Sequence, residues 1–435
     1  MIKKLVLVFI AVLTLQCYAQ EGTASPYSFY GIGSLKFKGT VENRSMGGLS
    51  IYTDSIHVNL RNPASYATEN LTYFNDESRP VKFSVGGSHS SIDLKSENSN
   101  DNATSTTFDY IALSIPMGKF GFGFGILPYT AVGYKLESVD SEDKIQNRFR
   151  GQGGLNKAYL GLGYQIAKGF SVGLDASYNF GNIQNSFITY RYDSDGNLLL
   201  NQSRENNRSD LSGLNLNFGL SYKTMVSNKL EFVSGLTYTP ESSLTSNNER
   251  SFSTITISSS TGQEFVGNTI DYNLETLGLK QTDLVLPSKF SVGAGIGEPR
   301  KWFVGAEYAS QQTSNFSNAL YSSSETNYEN GSSFSLGGFY IPQYNSFTSY
   351  LKRVVYRAGL HYEKTGLNIK NESINEFGIS FGLGLPVGNV FSNANLGFEI
   401  GKRGTTNNNL IQENFVNLQI SLSLNDRWFQ KRKYD

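Results

Sequence analysis

The feature that most restricts how this chain can fold is a two-residue alternation that recurs along most of its length. Phe377, Ile379, Phe381, Leu383 and Leu385 alternate with Glu376, Gly378, Ser380, Gly382 and Gly384. Val416, Leu418, Ile420, Leu422 and Leu424 alternate with Asn417, Gln419, Ser421 and Ser423, and Trp302, Val304, Ala306 and Tyr308 with Phe303, Gly305, Glu307 and Ala309. A period of two puts neighbours on opposite faces, so each stretch is a strand with one apolar face and one small or polar face. A helical membrane protein needs apolar runs of about 18 residues or more, and beyond the first twenty residues none occurs. The 26 Tyr, 29 Phe and 44 Gly coexist with a mean hydropathy of -0.32 because every second position is small or polar.

The connections define the architecture. Strands are expected near 81–95, 106–116, 120–136, 155–166, 170–186, 209–223, 229–246, 281–296, 301–315, 347–363, 366–372, 374–386, 389–402 and 411–424. Met117-Gly118-Lys119, Ala167-Lys168-Gly169, Gly297 to Arg300, Lys364-Thr365 and Val387-Gly388 read as tight turns. Between them lie polar stretches at 137–154, 187–208, 247–280 and 316–346, read as long loops, of which 247–280 and 316–346 could extend strands above a membrane. Short periplasmic turns alternating with long extracellular loops, around an even strand count, mark a transmembrane β-barrel. The expected fold is all-β, a barrel of about 14 antiparallel strands. Tyrosines at strand ends (Tyr129, Tyr134, Tyr164, Tyr178, Tyr222, Tyr238) fit interfacial girdles.

The face opposite the aromatics is rich in glycine, including Gly121, Gly123, Gly125, Gly161, Gly163, Gly293, Gly295, Gly378, Gly382 and Gly384. Strand glycine leaves room for another backbone to approach, or simply relieves crowding in a curved sheet. Ser25 to Ala67 is the segment that would fill such a lumen. It has no clean period, is dense in Gly, Pro, Ser and Asn, and yet carries Tyr27, Phe29, Tyr30, Met46 and Leu49.

The expected organisation is a signal peptide over 1–19, an amino-terminal hatch or plug over 20–78, a barrel over 79–426 and a basic periplasmic tail over 427–435. Lys3 and Lys4, the apolar Leu5 to Leu15, and Cys17-Tyr18-Ala19 form the export signal, implying Sec export to the outer membrane of a Gram-negative cell. Cys17 is the only cysteine; lipidation there stays open, although Gln16 before it is not small.

Catalysis has no support. His57, His89 and His361 are widely separated, with no metal-binding spacing, and there is no nucleophile elbow. No metal or cofactor is implied. With 37 basic and 37 acidic side chains, nothing points to nucleic acid. Arg353, Arg357, His361 and Glu363 share one phase of one strand, and Asp175, Glu307, Glu376 and Glu399 fall on the same lumenal phase of others. Inward charges pair with each other or with a plug; Arg353 or Arg357 could instead hold a ligand carboxylate. Pro128 interrupts the third strand, where proline is expected only at an edge or a bulge and could simply end regular pairing.

Arg44-Ser45-Met46-Gly47-Gly48 followed by Asn62-Pro63-Ala64 resembles the amino-terminal signature of FadL/TodX-type outer-membrane transport proteins. The resemblance implies a fourteen-stranded barrel with an amino-terminal hatch, carrying hydrophobic small molecules, and a kinked third strand, at Pro128 here, as a lateral exit. The sequence departs from that pattern at Leu49 and Ser65. Ser25-Pro26-Tyr27 and Asn425 to Phe429 are similar to PorV-like barrels linked to protein secretion. Two readings follow: a hatch-gated transporter, or a plugged subunit or shuttle of an outer-membrane secretion or assembly machine. The expected partners are outer-membrane lipid, with a hydrophobic ligand in the first case and other outer-membrane or periplasmic proteins in the second.

Overall fold

The computed structural model describes residues 22–54, 56–67, 80–258, 261–316, 326–387 and 392–426. The expected signal peptide over 1–19 and basic tail over 427–435 lie outside the described residues. Fourteen strands form the barrel: β1 Val81–Lys95, β2 Asn100–Met117, β3 Phe120–Val139, β4 Ile145–Ala167, β5 Phe170–Thr189 and β6 Gln202–Met225. β7 runs through Glu231–Thr239 and Ser242–Ile257, and β8 through Glu264–Asp271, Gln281–Leu286 and Lys289–Glu298. β9 is Trp302–Gln311, β10 is Thr326–Tyr328 with Gly331–Tyr340, β11 Val355–Ile369, β12 Glu372–Val387, β13 Ser392–Arg403 and β14 Gln412–Asp426. Each pairs antiparallel with its neighbours. β14 returns to β1 in unbroken register from Gln412↔Lys95 to Asp426↔Val81, closing the wall. Closure pairs the backbone groups that lipid could not satisfy.

Alternation sets the two faces. Phe124, Leu160, Phe218, Tyr308, Phe334, Phe381 and Ile420 are exposed on the outside, while Gly121, Gly161 and Gly163 meet residues of the amino-terminal segment inside. Tyr164, Tyr178, Tyr222 and Tyr238 are exposed as expected, but Tyr134 is buried in a cluster with Val132, Leu155, Ile183 and Leu211, and Tyr129 packs against that cluster. Both fall beyond Ile126, where β3 leaves regular pairing with β2.

The strand count agrees with the sequence, but two assignments compensate. β10 lies within the stretch read as a loop at 316–346, and the separate strand expected at 366–372 is the end of β11. Lys364-Thr365 is not a turn: the β11–β12 ladder resumes past it after a register shift, with Gly366 at φ 81°. Residues 347–354, expected as strand, belong to the connection before β11. The supposed loops at 137–154 and 247–280 are largely strand too, and the one at 187–208 is strand at both ends, since β3 to β8 rise well past the lipid-facing band.

One seam is incomplete. The β2–β3 ladder ends at Ile111↔Ile126, although β2 extends back to Asn100 and β3 on to Val139. Past the seam, Ser34 and Leu35 of the amino-terminal segment pair with Ala131 and Thr130 of β3.

Candidate functional site

The site is the interface between the amino-terminal segment and the inner wall. Its centre is one helical turn, Val41–Arg44, entered through Thr40, whose Oγ1 donates to Asn43 Oδ1 at 2.8 Å. The turn stops at Gly47 and Gly48, both left-handed at φ 69° and 87°, and Gly48 N–H donates to Asn43 O at 2.8 Å. Only glycine adopts two such residues in succession without strain. At Gly47 a Cβ would also strike the Leu360 carbonyl oxygen of β11, so the bend is pressed against the wall.

Three wall carboxylates hold the segment from different sides. Glu307 on β9 accepts from Ser50 N–H at 2.6 Å and Arg61 Nη2 at 2.8 Å. Glu376 on β12 accepts from Lys38 Nζ, from Arg403 Nε at 2.7 Å, and lies 3.1 Å from His361 Nε2. Glu399 on β13 accepts from Arg44 Nη2 at 3.1 Å, Asn417 Nδ2 at 3.0 Å and Gln419 Nε2 at 3.2 Å. Arg44 also stands 3.6 Å from Asp109, at a bulge in β2. The polarity reverses at Glu42 of the segment, which accepts from Asn395 Nδ2 at 2.6 Å and Ser421 Oγ at 3.0 Å. Glu307, Glu376 and Glu399 are each at most 4% exposed, and a buried charge that loses its partner is strongly destabilising.

Asn62-Pro63-Ala64 forms a second seat. Asn62 Nδ2 donates to Leu220 O of β6 at 2.9 Å, and Asn62 Oδ1 accepts from Ala64 N–H at 3.1 Å. Tyr66, 1% exposed, lies against β3 so closely that a Cβ at Gly121 would collide with its carbonyl oxygen. Apolar contacts add to the polar ones: Met46, Leu49 and Ile51 cluster with Val233, Phe303 and Phe339, and Val58 and Tyr66 with Tyr110, Leu127 and Tyr159. Burying each large side chain is worth roughly 1.5–3 kcal/mol.

Among the described residues, two cavities flank the helical turn, one on either side. The larger, about 380 Å³, mixes apolar groups such as Phe37, Leu127 and Tyr129 with Lys38, Arg61, Lys157, Asp175, Lys289 and Glu363. The smaller, about 100 Å³, opens toward the short-turn end around Asp54, His57, Tyr344 and Arg357. His57 Nδ1 lies 2.7 Å from Asp54 Oδ2, and His57 N–H donates to Asp54 Oδ1 at 2.7 Å. Burial alone would raise the Asp54 carboxyl, but the charge and hydrogen bonds of His57, with Lys82 nearby, hold it well below the usual carboxylate range.

The structure brings together most of the residues singled out in the sequence. Arg44, Met46, Gly47, Gly48, Asn62, Pro63 and Ala64 line the segment–wall interface, and Asp175, Glu307, Arg357, His361, Glu376 and Glu399 are buried on the inner wall. Glu363 is partly exposed and 3.3 Å from Lys38. Arg353 is not lumenal. It precedes β11, is exposed in the short helical turn Leu351–Arg353, and stacks on Tyr350 at 5.4 Å. The alternation was extended two residues past the true start of the strand, which put Arg353 on the wrong face. Pro128 sits opposite Asn156 just beyond the seam, beside a bulge at Tyr129.

Sequence reasoning overlooked Lys157 and Lys289. Among the described residues neither has a carboxylate at ion-pair distance, and Lys157 Nζ stands 4.4 Å over the Tyr129 ring. Both share an inward phase with glycine, Lys157 with Gly161 and Lys289 with Gly293, so the alternation could have flagged them. The segment's own anchors, Lys38, Glu42, Ser50 and Arg61, carried no such signal because the segment has no period. Among the described residues no group of three or more His, Cys, Asp or Glu side chains could hold a metal ion.

A family model described as BamG matches residues 1–435. No curated protein sequence matches the chain. Among solved structures, the toluene transporter TodX of P. putida is similar at a TM-score of 0.59 and 14% identity, covering 92% of this chain and 100% of its own. The toluene transporter TbuX of Ralstonia pickettii gives 0.57 and 15%, covering 89% and 98%. A Pseudomonas aeruginosa FadL homologue gives 0.56 and 12%, covering 91% and 100%. At these identities the likeness establishes a shared fold, and that fold fits an outer-membrane β-barrel.

Proposed function

The chain belongs to the BamG family, and we propose that it works as a plugged outer-membrane barrel, a non-transporting subunit of a machine that secretes or assembles outer-membrane proteins. The observation that carries this reading is the seating of the segment by Glu307, Glu376 and Glu399 on three separate strands. Withdrawing it would strand several buried carboxylates at once, each at a cost of about 3–5 kcal/mol. In this role residues 22–67 are a cork, and the useful surface is the outside of the barrel with the strands of β3 to β8 raised above the membrane. The test is extraction of the tagged chain from outer membranes in a mild detergent, followed by native mass spectrometry. Other proteins in fixed stoichiometry, and a lumen without a lipid-like guest, are expected. A solitary barrel carrying a hydrophobic small molecule would overturn the reading.

The open seam between β2 and β3 favours a second reading, passage of a hydrophobic small molecule from lumen to bilayer past Pro128. TodX and TbuX are named as toluene transporters, which agrees with it. In that case residues 34–37 would be the gate. Locking Ser34–Leu35 onto β3 would then stop uptake, whereas a cork tolerates the lock.

A further inference from the structure

The connection from β10 to β11, residues 341–354, is longer than the other described turns at this end of the barrel. Its two arms are bridged by Gln343 N–H donating to Lys352 O at 2.8 Å, and their side chains face opposite sides. The first turns inward: Ile341 is buried, and Tyr344 lines the small cavity with Arg300 5.3 Å over its ring. The second turns outward. Tyr356 is exposed on the outer face of β11, next to the buried Arg357, and its hydroxyl donates to Leu351 O at 3.2 Å. Tyr350 Oη donates to Pro386 O of β12 at 3.1 Å. The second arm is therefore tied to the lipid-facing side of the wall.

Its exposed side chains are unlike those of a water-facing loop. Phe347 is 102% exposed and Leu351 67%, and Lys352 and Arg353 follow directly. At the same end of the barrel Met117, Phe120, Met225, Val226 and Tyr340 are also exposed, so the patch continues an apolar band that circles the wall. Apolar tips beside tyrosines and cations suit a membrane interface. Rings settle at headgroup depth, apolar side chains enter the acyl boundary, and long cationic side chains reach back to anionic headgroups.

We propose that residues 347–353 anchor the barrel in the periplasmic leaflet, with Phe347 and Leu351 in the acyl boundary and Lys352 and Arg353 on the headgroups of an anionic phospholipid. Continuity with the lipid-facing band favours lipid over a periplasmic protein. The anchor would fix the height of the barrel mouth and steady the arm that covers the small cavity, whichever role the barrel has.

The test places single nitroxide labels at Phe347→Cys, Leu351→Cys and, for reference, Asn345→Cys on the inward arm, in the full chain with Cys17→Ser. The barrels are reconstituted in vesicles of phosphatidylethanolamine and phosphatidylglycerol, and folding is checked by heat-modifiable gel mobility. The ratio of oxygen to nickel-chelate accessibility should be severalfold higher at 347 and 351 than at 345. Equal ratios would mean that the turn hangs in water, open to a periplasmic partner, and would overturn the anchor. Lys352→Glu with Arg353→Glu should draw the 347 label back toward water in the same vesicles; an unmoved label would overturn the headgroup contact.

Discussion

Among single residues, Glu376 is the most exacting position in the lumen. It is 2% exposed and takes up Lys38, Arg403 and His361 together. Glu376→Gln keeps the shape and removes the charge, leaving buried cations uncompensated. The expected loss is about 3–5 kcal/mol, read as a lower denaturant midpoint for the heat-modifiable form. Glu363→Gln is the control: this carboxylate is 27% exposed and, among the described residues, forms an ion pair with Lys38 alone, so the expected change is about 1 kcal/mol or less. Equal losses in the two variants would remove the special role given to Glu376. Asp54 supplies a pH dependence. Its folded pKa is depressed, so its contribution is present above the unfolded carboxylate value and is lost as the pH falls through the folded value. Asp54→Asn should lower stability at neutral pH by about 1–3 kcal/mol and flatten the acid limb. Superimposable stability–pH curves for the two proteins would contradict this.

For the strands, the sequence was most legible where one face meets lipid. There apolar and small residues must alternate, so β9, β12 and β14 stand out by inspection. β10 was missed because Gly331-Ser332-Ser333 and the polar residues before it resemble loop; its ladders to β9 and β11 come from tertiary pairing. The end of β11 was cut off because Lys364-Thr365 reads as a turn, whereas the glycine after it only makes a bulge and the strand goes on. The cork residues were legible as an anomaly, too aromatic for a linker, but their wall partners lie hundreds of positions away and leave no local trace. The β2–β3 seam was foreshadowed only by Pro128. Its filling by Ser34 and Leu35 suggests a direct test, Leu35→Cys with Thr130→Cys, which stand opposite one another in the ladder. Their Cβ atoms should lie about 4.5–5.5 Å apart, slightly beyond the usual disulfide spacing of about 3.5–4.5 Å, so a small backbone adjustment lets a disulfide form on mild oxidation. Efficient crosslinking with growth unaffected is expected of a cork. Failure to crosslink would place the segment elsewhere, and crosslinking that blocks hydrophobic uptake would favour the gated-seam reading.

The whole barrel can be asked whether its closure depends on the cork. The ring closes at β14–β1 without it, since that ladder is continuous, and among the described residues the segment adds to the strand ladders only at Ser34 and Leu35, past the open β2–β3 seam. The amino-terminal segment does balance the lumenal charge. It brings Lys38, Arg44 and Arg61 to Glu376, Glu399 and Glu307. Deleting residues 22–67 removes these cations while Asp109, Asp175, Glu307, Glu376, Glu399 and Glu413 stay on the inner wall against Lys82, Lys157, Lys289, Arg357 and Arg403. The vacated lumen is lined by glycine, serine and asparagine and should fill with water. In a planar bilayer the intact protein should be silent, and the deletion variant should conduct with a preference for cations that weakens as salt screens the carboxylates. Steady conductance through the intact protein would refute the cork. A folded, heat-modifiable deletion variant that stays silent would mean that the wall narrows once the segment is gone, making the segment a mould for the barrel as well as its stopper.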